Sequence, residues 1–330
     1  MTLSLKSSAI ALITTAILAT PTLAETVTVR MSTPATDTDQ RAIALSEVFA
    51  PAVADFITYE PHYNASLIQQ GAELEAIASG DLEMSIASAQ ELAQFFPEFS
   101  IFTAGYVHQS AEHQVAVFND ELMDPFKAKV EEELGVKLLT VMYLGQRQVN
   151  LRQCPDELTV KTPADLAGVN LRMPGSESWQ FLGKALGANP TPMAFTEVYT
   201  ALQTGSVDGQ DNPLPTVVDA KFYEVTCQIA LTSHLVDLNY VAFSKAVWDE
   251  LTEEQQTALQ EAADAAAASA RQAQLEKEEQ LVAFLTEQGM KIYEPDVAAF
   301  REAVQAAYLS SDLAATWPEG TLDKINALGN

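Results

Sequence analysis

Apolar and polar positions along this chain switch repeatedly between a period of two and a period near 3.6, which divides it into alternating strands and helices. Val27, Val29 and Met31 alternate as a strand. Thr36, Asp37, Thr38 and Asp39 then offer capping groups before an amphipathic run that carries Ala42, Leu45, Phe49, Val53 and Phe56, with Pro51 as a kink. A short helix over 72–79 stops at Gly80, and a compact buried strand covers 84–88. A helix over 121–134 stops at Gly135, and the strand that follows, 136–144, leads through Gly145 straight to Arg147. The pattern predicts a lobe crossover near Gly145.

The segment 169–213 reads as strand, helix, strand, helix, strand, a unit that builds parallel sheets. Its first strand delivers Arg172 to its carboxyl end, where open parallel sheets bind their ligands. Two helix-sized stretches, 176–186 and 196–203, flank Pro190-Thr191-Pro192-Met193, and Asn212 leaves the last short strand. An arginine fork with an amide beside it is chemistry suited to a carboxylate; an arginine at a strand end also pairs with surface acids or reaches water.

Residues 234–240 cross back to the first lobe. Thr252 and Gln255 form a capping box, and neither Pro nor Gly interrupts the run until Gly289. A helix over 253–288 is about 54 Å long, more than one lobe is wide, so it is expected to lie across both. Its small-sided middle, 262–270, favours close packing over a coiled-coil seam. Residues 290–293 and 296–308 return to the second lobe, followed by a capping tail.

At the chain start, Lys6, an apolar core over 9–19 and Thr22-Leu23-Ala24 before Glu25 make an export leader over 1–24. Its core is too short to anchor in a membrane, and no cysteine follows it to carry a lipid. The only cysteines, Cys154 and Cys227, are expected to pair in an oxidising compartment such as a bacterial periplasm. With 18 basic against 45 acidic residues the net charge is −27. Such a surface repels nucleic acid and anionic membranes, so an anion site needs locally concentrated positive charge. Arg147, Arg152 and Arg172, three of the seven arginines, fall within 26 residues.

Enzyme chemistry finds little footing. No Gly-rich phosphate loop is visible in the first lobe, and no Gly-x-Ser-x-Gly elbow or His-Glu-x-x-His occurs in the chain. His108 and His113 are five apart and predicted on different helix faces. Asp208 and Asp211, three apart in a Gly-containing turn, are expected to bond local backbone. Trp179 is read as a core aromatic that is also able to stack on a ligand.

The constellation Arg172-Met173-Pro174-Gly175, then Asn189-Pro190-Thr191-Pro192-Met193-Ala194-Phe195 through Tyr199 to Gln203, then Val207-Asp208-Gly209-Gln210-Asp211-Asn212-Pro213 resembles the substrate-binding proteins of tripartite ATP-independent periplasmic (TRAP) transporters. Gly145-Gln146-Arg147-Gln148 and Ser233-His234 fit the same pattern, and the resemblance covers essentially the whole chain after the leader. It implies an α/β, two-lobed periplasmic-binding-protein fold with a long helix spanning both lobes. Lobe 1 is expected at 25–145 plus 238–276, and lobe 2 at 146–237 plus 277–330. It also implies a monomeric periplasmic receptor, not an enzyme, without cofactor or metal, that hands a small organic acid to integral membrane subunits. Arg172 would form the two-pronged salt bridge to the ligand carboxylate, Asn212 and Arg147 would orient it, and Phe195 would line the pocket. Sialic-acid-binding members carry Asn and Glu on the first and third strands, where this chain has Ser32 and Ser88, with Gln70 in place of an acid. Sialic acid is therefore disfavoured. Asn239 on the return crossing completes the candidate set. Dicarboxylates, sugar acids, sulfonates and oxo acids stay open, as do an exported enzyme acting on such acids and a receptor for an ATP-driven importer.

Overall fold

The computed structural model describes residues 26–329, so the leader expected at 1–24 lies outside the described residues. Among them, nine strands form one sheet: β1 (Val27–Ser32), β2 (Ile57–His62), β3 (Met84–Ser88), β4 (Val136–Leu151), β5 (Asn170–Met173), β6 (Asn189–Pro192), β7 (Gly209–Asn212), β8 (Gln228–Ser244) and β9 (Lys291–Tyr293). The order is β2-β1-β3-β8-β4-β7-β5-β6, with β9 alongside β8. β1 runs parallel to β2 and β3, and β5 runs parallel to β6 and β7, as strand–helix–strand units require.

Between these two parallel groups lie β4 and β8, antiparallel partners of 16 and 17 residues. β8 joins the first group and β4 the second: β8 pairs with β3, Asn239 opposite Ser88, and β4 pairs with β7, Gln148 opposite Asn212. The strand predicted over 136–144 therefore does not end at Gly145; it continues to Leu151. Gly145, at φ 131°, sits where the β4/β8 register shifts, so the chain bends without leaving the sheet. A Cβ there would lie 2.6 Å from Glu278 Oε1 and from Pro213 Cβ, a fit only glycine allows. Glu278 accepts from the Gln146 N–H at 2.9 Å and from the Tyr143 hydroxyl at 2.6 Å, which ties the spanning helix to this bend. The return crossing is β8 itself, turned at Ser233 with φ 45°.

The long helix spans Glu253–Glu287, with Thr252 and Gln255 exchanging the two hydrogen bonds of a capping box. Its 35 residues extend about 52 Å. Leu259, Ala262, Ala263, Ala266, Ala267 and Ala270 enter a core with Val29, Leu45 and Phe49. Leu281 and Leu285 enter another with Val198, Leu202 and Val217. The methyl-sized side chains let the helix approach β4 closely enough for Gln260 Nε2 to donate to Leu139 O at 2.8 Å. A third cluster, from Phe99 and Phe126 to Trp179 and Phe300, runs through both parts. The fold is thus two-lobed α/β with one helix shared between the lobes.

The helix expected around 40–56 is α-helical over Gln40–Ala44, a π turn over Leu45–Phe49, and ends at Ala52; Pro51 cannot donate, and Phe56 is buried from the turn beyond. His108 and His113 do not share a helix, which begins only at Ala111; their rings meet edge to face at 5.2 Å. Burial, then His113, pushes His108 down to about 3, so it is neutral. Cys154 and Cys227 form the expected disulfide, with Cα atoms 5.1 Å apart.

Candidate functional site

A cavity of about 670 Å³, counting the open space at its mouth, lies between side chains from both groups of strands. Ser88 ends β3, Asn239 sits on β8, Arg147 on β4 and Asn212 at the end of β7, while Trp179 comes from the helix Glu177–Ala185. Six of the eight residues expected from the sequence line it: Gln70, Ser88, Arg147, Phe195, Asn212 and Asn239. Gln70 Oε1 accepts from the Phe195 N–H at 2.7 Å and so joins the two walls. Asn212 Nδ2 donates to Gln210 Oε1 at 2.5 Å. Ser88 Oγ caps the helix Ala89–Leu92 by accepting from the Glu91 N–H at 3.2 Å. Ser32 lies outside the lining, fully buried, with Oγ accepting from the Ile68 N–H at 3.2 Å.

Arg172 also lies behind the wall. It does not reach water, as a strand-end arginine can: the side chain is buried, with the residue 1% exposed. Its Nε donates to Met193 O at 2.9 Å, and its Cζ is 5.9 Å from the Phe195 ring centre. Its Nη2 is buried without a hydrogen-bond partner. Burial pushes its pKa down to about 9, with Asp211 opposing the shift and Arg147 adding to it, so the guanidinium remains charged at neutral pH.

Arg147 is held differently. Its Nε donates to Asp237 Oδ2 at 2.7 Å, its Nη1 donates to Asp211 O at 2.6 Å and stands 3.3 Å from Asp211 Oδ1, and its Cζ lies 4.3 Å from the Trp179 ring centre. Burial opposes its charge, but Asp237 and Asp211 outweigh burial and raise its pKa. Asp211 therefore does not bond local backbone through its carboxylate; the carboxylate faces Arg147 and, at 3.2 Å, His234 Nε2. Asp208 accepts from the Asn170 N–H at 2.9 Å, on the neighbouring strand. Arg147 is thus neutralised by protein acids. Arg172 carries a buried charge with no acid hydrogen-bonded to it, the condition in which an incoming carboxylate gains most.

Sequence reasoning missed Arg41, Asp39, Glu91, Thr216 and Asp219, which also line the cavity. Arg41 donates through Nε and Nη2 to Asp39 at 2.9 and 2.8 Å, and through Nη1 to Asn239 Oδ1. Arg41 and Asn239 are 198 positions apart, so no local spacing announces them. Among the described residues no group of three or more His, Cys, Asp or Glu is placed to hold a metal ion, and no helix is long and apolar enough to cross a membrane.

Burial and then Glu91 push the Glu73 carboxyl up to about 8, against the Gly71 N–H that donates to it at 2.6 Å. A raised carboxyl pKa means the folded state holds the proton more tightly than the unfolded chain does. Its contribution is full below the ordinary carboxyl range and is lost as the pH climbs towards 8. Glu73→Gln is expected to flatten this slope, so that between pH 5 and pH 8 the urea midpoint of the wild type falls relative to the variant. Parallel pH profiles would refute the assignment.

Residues 35–312 match the family described as bacterial extracellular solute-binding protein, family 7. The chain is 30% identical to the sialic acid-binding periplasmic protein SiaP of Vibrio cholerae over 249 residues, 76% of each chain. It is 31% identical to the 2,3-diketo-L-gulonate-binding periplasmic protein YiaO of Escherichia coli, over 71% of this chain and 70% of that one. A crystal structure of a TRAP periplasmic solute-binding protein from Roseobacter denitrificans with bound 3-deoxy-D-manno-oct-2-ulosonic acid (KDO) matches with a TM-score of 0.92 and 78% identity, covering 92% of this chain and 100% of that one. A second from the same organism, with bound L-galactonate, matches with a TM-score of 0.82 and 27% identity over 93% and 100%. With the fold, the cleft and these relatives in agreement, the chain belongs to family 7 of the bacterial extracellular solute-binding proteins, as a periplasmic receptor that captures a small organic acid for the membrane subunits of a TRAP transporter.

Proposed function

We propose that the acid is a 2-oxo-3-deoxy sugar acid of the KDO type, bound without chemical conversion. The observation that carries this reading is the 78% identity, over nearly the whole chain, to a receptor with KDO bound. The site chemistry agrees with it. Arg172 supplies the fork for the carboxylate, Asn212 and Arg147 orient it, and Phe195 closes over it, with Gln70, Ser88 and Asn239 as further polar contacts. Ser32 keeps its hydroxyl on Ile68 and supports the wall. Titration calorimetry of purified protein against KDO, sialic acid, 2,3-diketo-L-gulonate, L-galactonate and succinate tests the assignment: KDO is expected to bind tightest, and a preference for succinate would overturn it. Conversion of bound KDO during the titration, followed by mass spectrometry, would count for an enzyme instead.

The two lobes, 25–145 plus 238–276 and 146–237 plus 277–330, close on the ligand about β4 and β8. Because Gln70 from the first bonds Phe195 from the second, ligand that bridges them favours the closed form. Saturating ligand is expected to reduce the radius of gyration in solution scattering; an unchanged radius would count against closure.

A further inference from the structure

Apart from Glu91, whose carboxylate accepts from the Ser88 N–H at 2.8 Å, two groups of charge stand around the cavity. Those acting on Arg172 are Asp211, Arg147 and Glu197. Those acting on Asp219 are Lys277, Asp39 and Arg41. The second group is assembled from three elements: Asp39 and Arg41 at the start of the helix Gln40–Ala44, Asp219 at the end of the helix Leu214–Asp219, and Lys277 on the spanning helix. Asp39 holds Arg41 at 2.8 Å, and Lys277 Nζ stands 2.7 and 3.0 Å from the two Asp219 carboxylate oxygens. Two acids balance two bases, so this part of the cavity has no net charge to offer a second carboxylate.

Thr216 gives the group its direction. It sits three residues before Asp219, hence on the same helix face, and both line the cavity. Thr216 is only 9% exposed, and its Oγ1 is buried without a hydrogen-bond partner. A second carboxylate here would meet Asp39 and Asp219. An alkyl tail would leave the Thr216 hydroxyl buried against nothing that pairs with it. Hydroxyl groups, each both donor and acceptor, satisfy guanidinium, carboxylate and threonine together.

We infer that Thr216, Asp219, Arg41 and Asp39 form a polyol subsite that reads the hydroxylated tail of the bound acid and rejects dicarboxylates. The inference rests on the sugar-acid reading above and adds to it which residues measure the tail. Thr216 and Asp219 come from one lobe and Asp39 and Arg41 from the other, so the tail bridges the closure.

Calorimetry on the full chain tests this with KDO and with 2-keto-3-deoxy-D-gluconate, which has the same head and a shorter tail. Thr216→Val removes an unpartnered hydroxyl at nearly constant volume, so thermal unfolding of the unliganded protein is expected to change little. KDO affinity is expected to fall by roughly twofold to tenfold, the worth of one neutral hydrogen bond, while the shorter acid changes by less than about twofold. Asp219→Asn, which leaves the Lys277 charge unmatched, is expected to weaken KDO more than Thr216→Val does. Equal losses for both acids, or no loss of KDO with either variant, would overturn the subsite while the sugar-acid reading stood. A wild type that takes succinate and neither KDO nor galactonate would overturn both. Galactonate bound in place of KDO, with a Thr216-dependent preference over glycerate, would uphold the subsite and overturn only the choice of KDO.

Discussion

Arg172→Ala is expected to weaken acid binding by roughly thirtyfold to several-thousandfold, the largest effect any single substitution in this protein is expected to produce. Removing one partner of a desolvated charged pair typically costs about 2–5 kcal/mol, and each 1.4 kcal/mol is a factor of ten. Arg172 is 1% exposed and its Nη2 has no protein partner, so a carboxylate arriving there meets a charge already stripped of water. Arg172→Lys keeps the charge but loses the planar fork, and its affinity should fall between those of alanine and the wild type. Stability should move the other way. A buried charge without a hydrogen-bonded counter-charge is costly, and filling its volume with an apolar side chain is often neutral or stabilising by about 1–4 kcal/mol. Arg172→Met should therefore unfold no earlier than the unliganded wild type, yet lose the ligand-induced rise in unfolding temperature. Near wild-type affinity in a folded Arg172→Ala protein would place the carboxylate clamp elsewhere, with Arg147 the next arginine to replace.

Replacing Cys154 and Cys227 together is expected to lower stability by about 4 kcal/mol, on the chain-entropy account of a cross-link. The bridge closes 73 residues, a span that contains β5, β6 and β7 and therefore Arg172, Phe195 and Asn212. The Cys227 N–H also donates to Leu151 O at 2.9 Å, so the bond fastens the end of β4 to the entry of β8. The effect should be read as a lowered urea midpoint for the double alanine variant and, equally, for wild type held in reductant. An unchanged midpoint in both would mean that the pairing of β4 with β8 already holds these ends together.

Local signals in the sequence were enough for several elements, though not for β2, β8 or the helix Ala111–Asn119. Gly80 and Gly135 end their helices in the left-handed conformation, where a side chain would be strained, so the stops were legible from single residues. The strand Met84–Ser88 needed no context, and the helix Glu253–Glu287 followed from a capping box and 35 residues free of Pro and Gly. The pairing of Cys154 with Cys227 followed from there being only two cysteines. The segment that carries Arg172, Phe195 and Asn212 was also readable, because its strand–helix alternation is written in turn residues a few positions apart.

What the sequence could not decide is which charges meet. Arg147 and Arg172 look alike along the chain, each close to a strand end. The register of β4 against β8 and β7 sets Arg147 among Asp211 and Asp237, 64 and 90 positions away, and leaves Arg172 without a hydrogen-bonded acid. The same register brings Asn239 to Arg41, while the spanning helix brings Lys277 to Asp219. Gly145 misled for a related reason: a glycine reads locally as a strand end, and only the neighbouring strand and Glu278 make it a bend inside one. Helix caps and strand periods arise from neighbours in sequence, so the chain alone determined them. Charge pairing depends on distance through space and on burial, and packing β4 and β8 across two lobes is what created both.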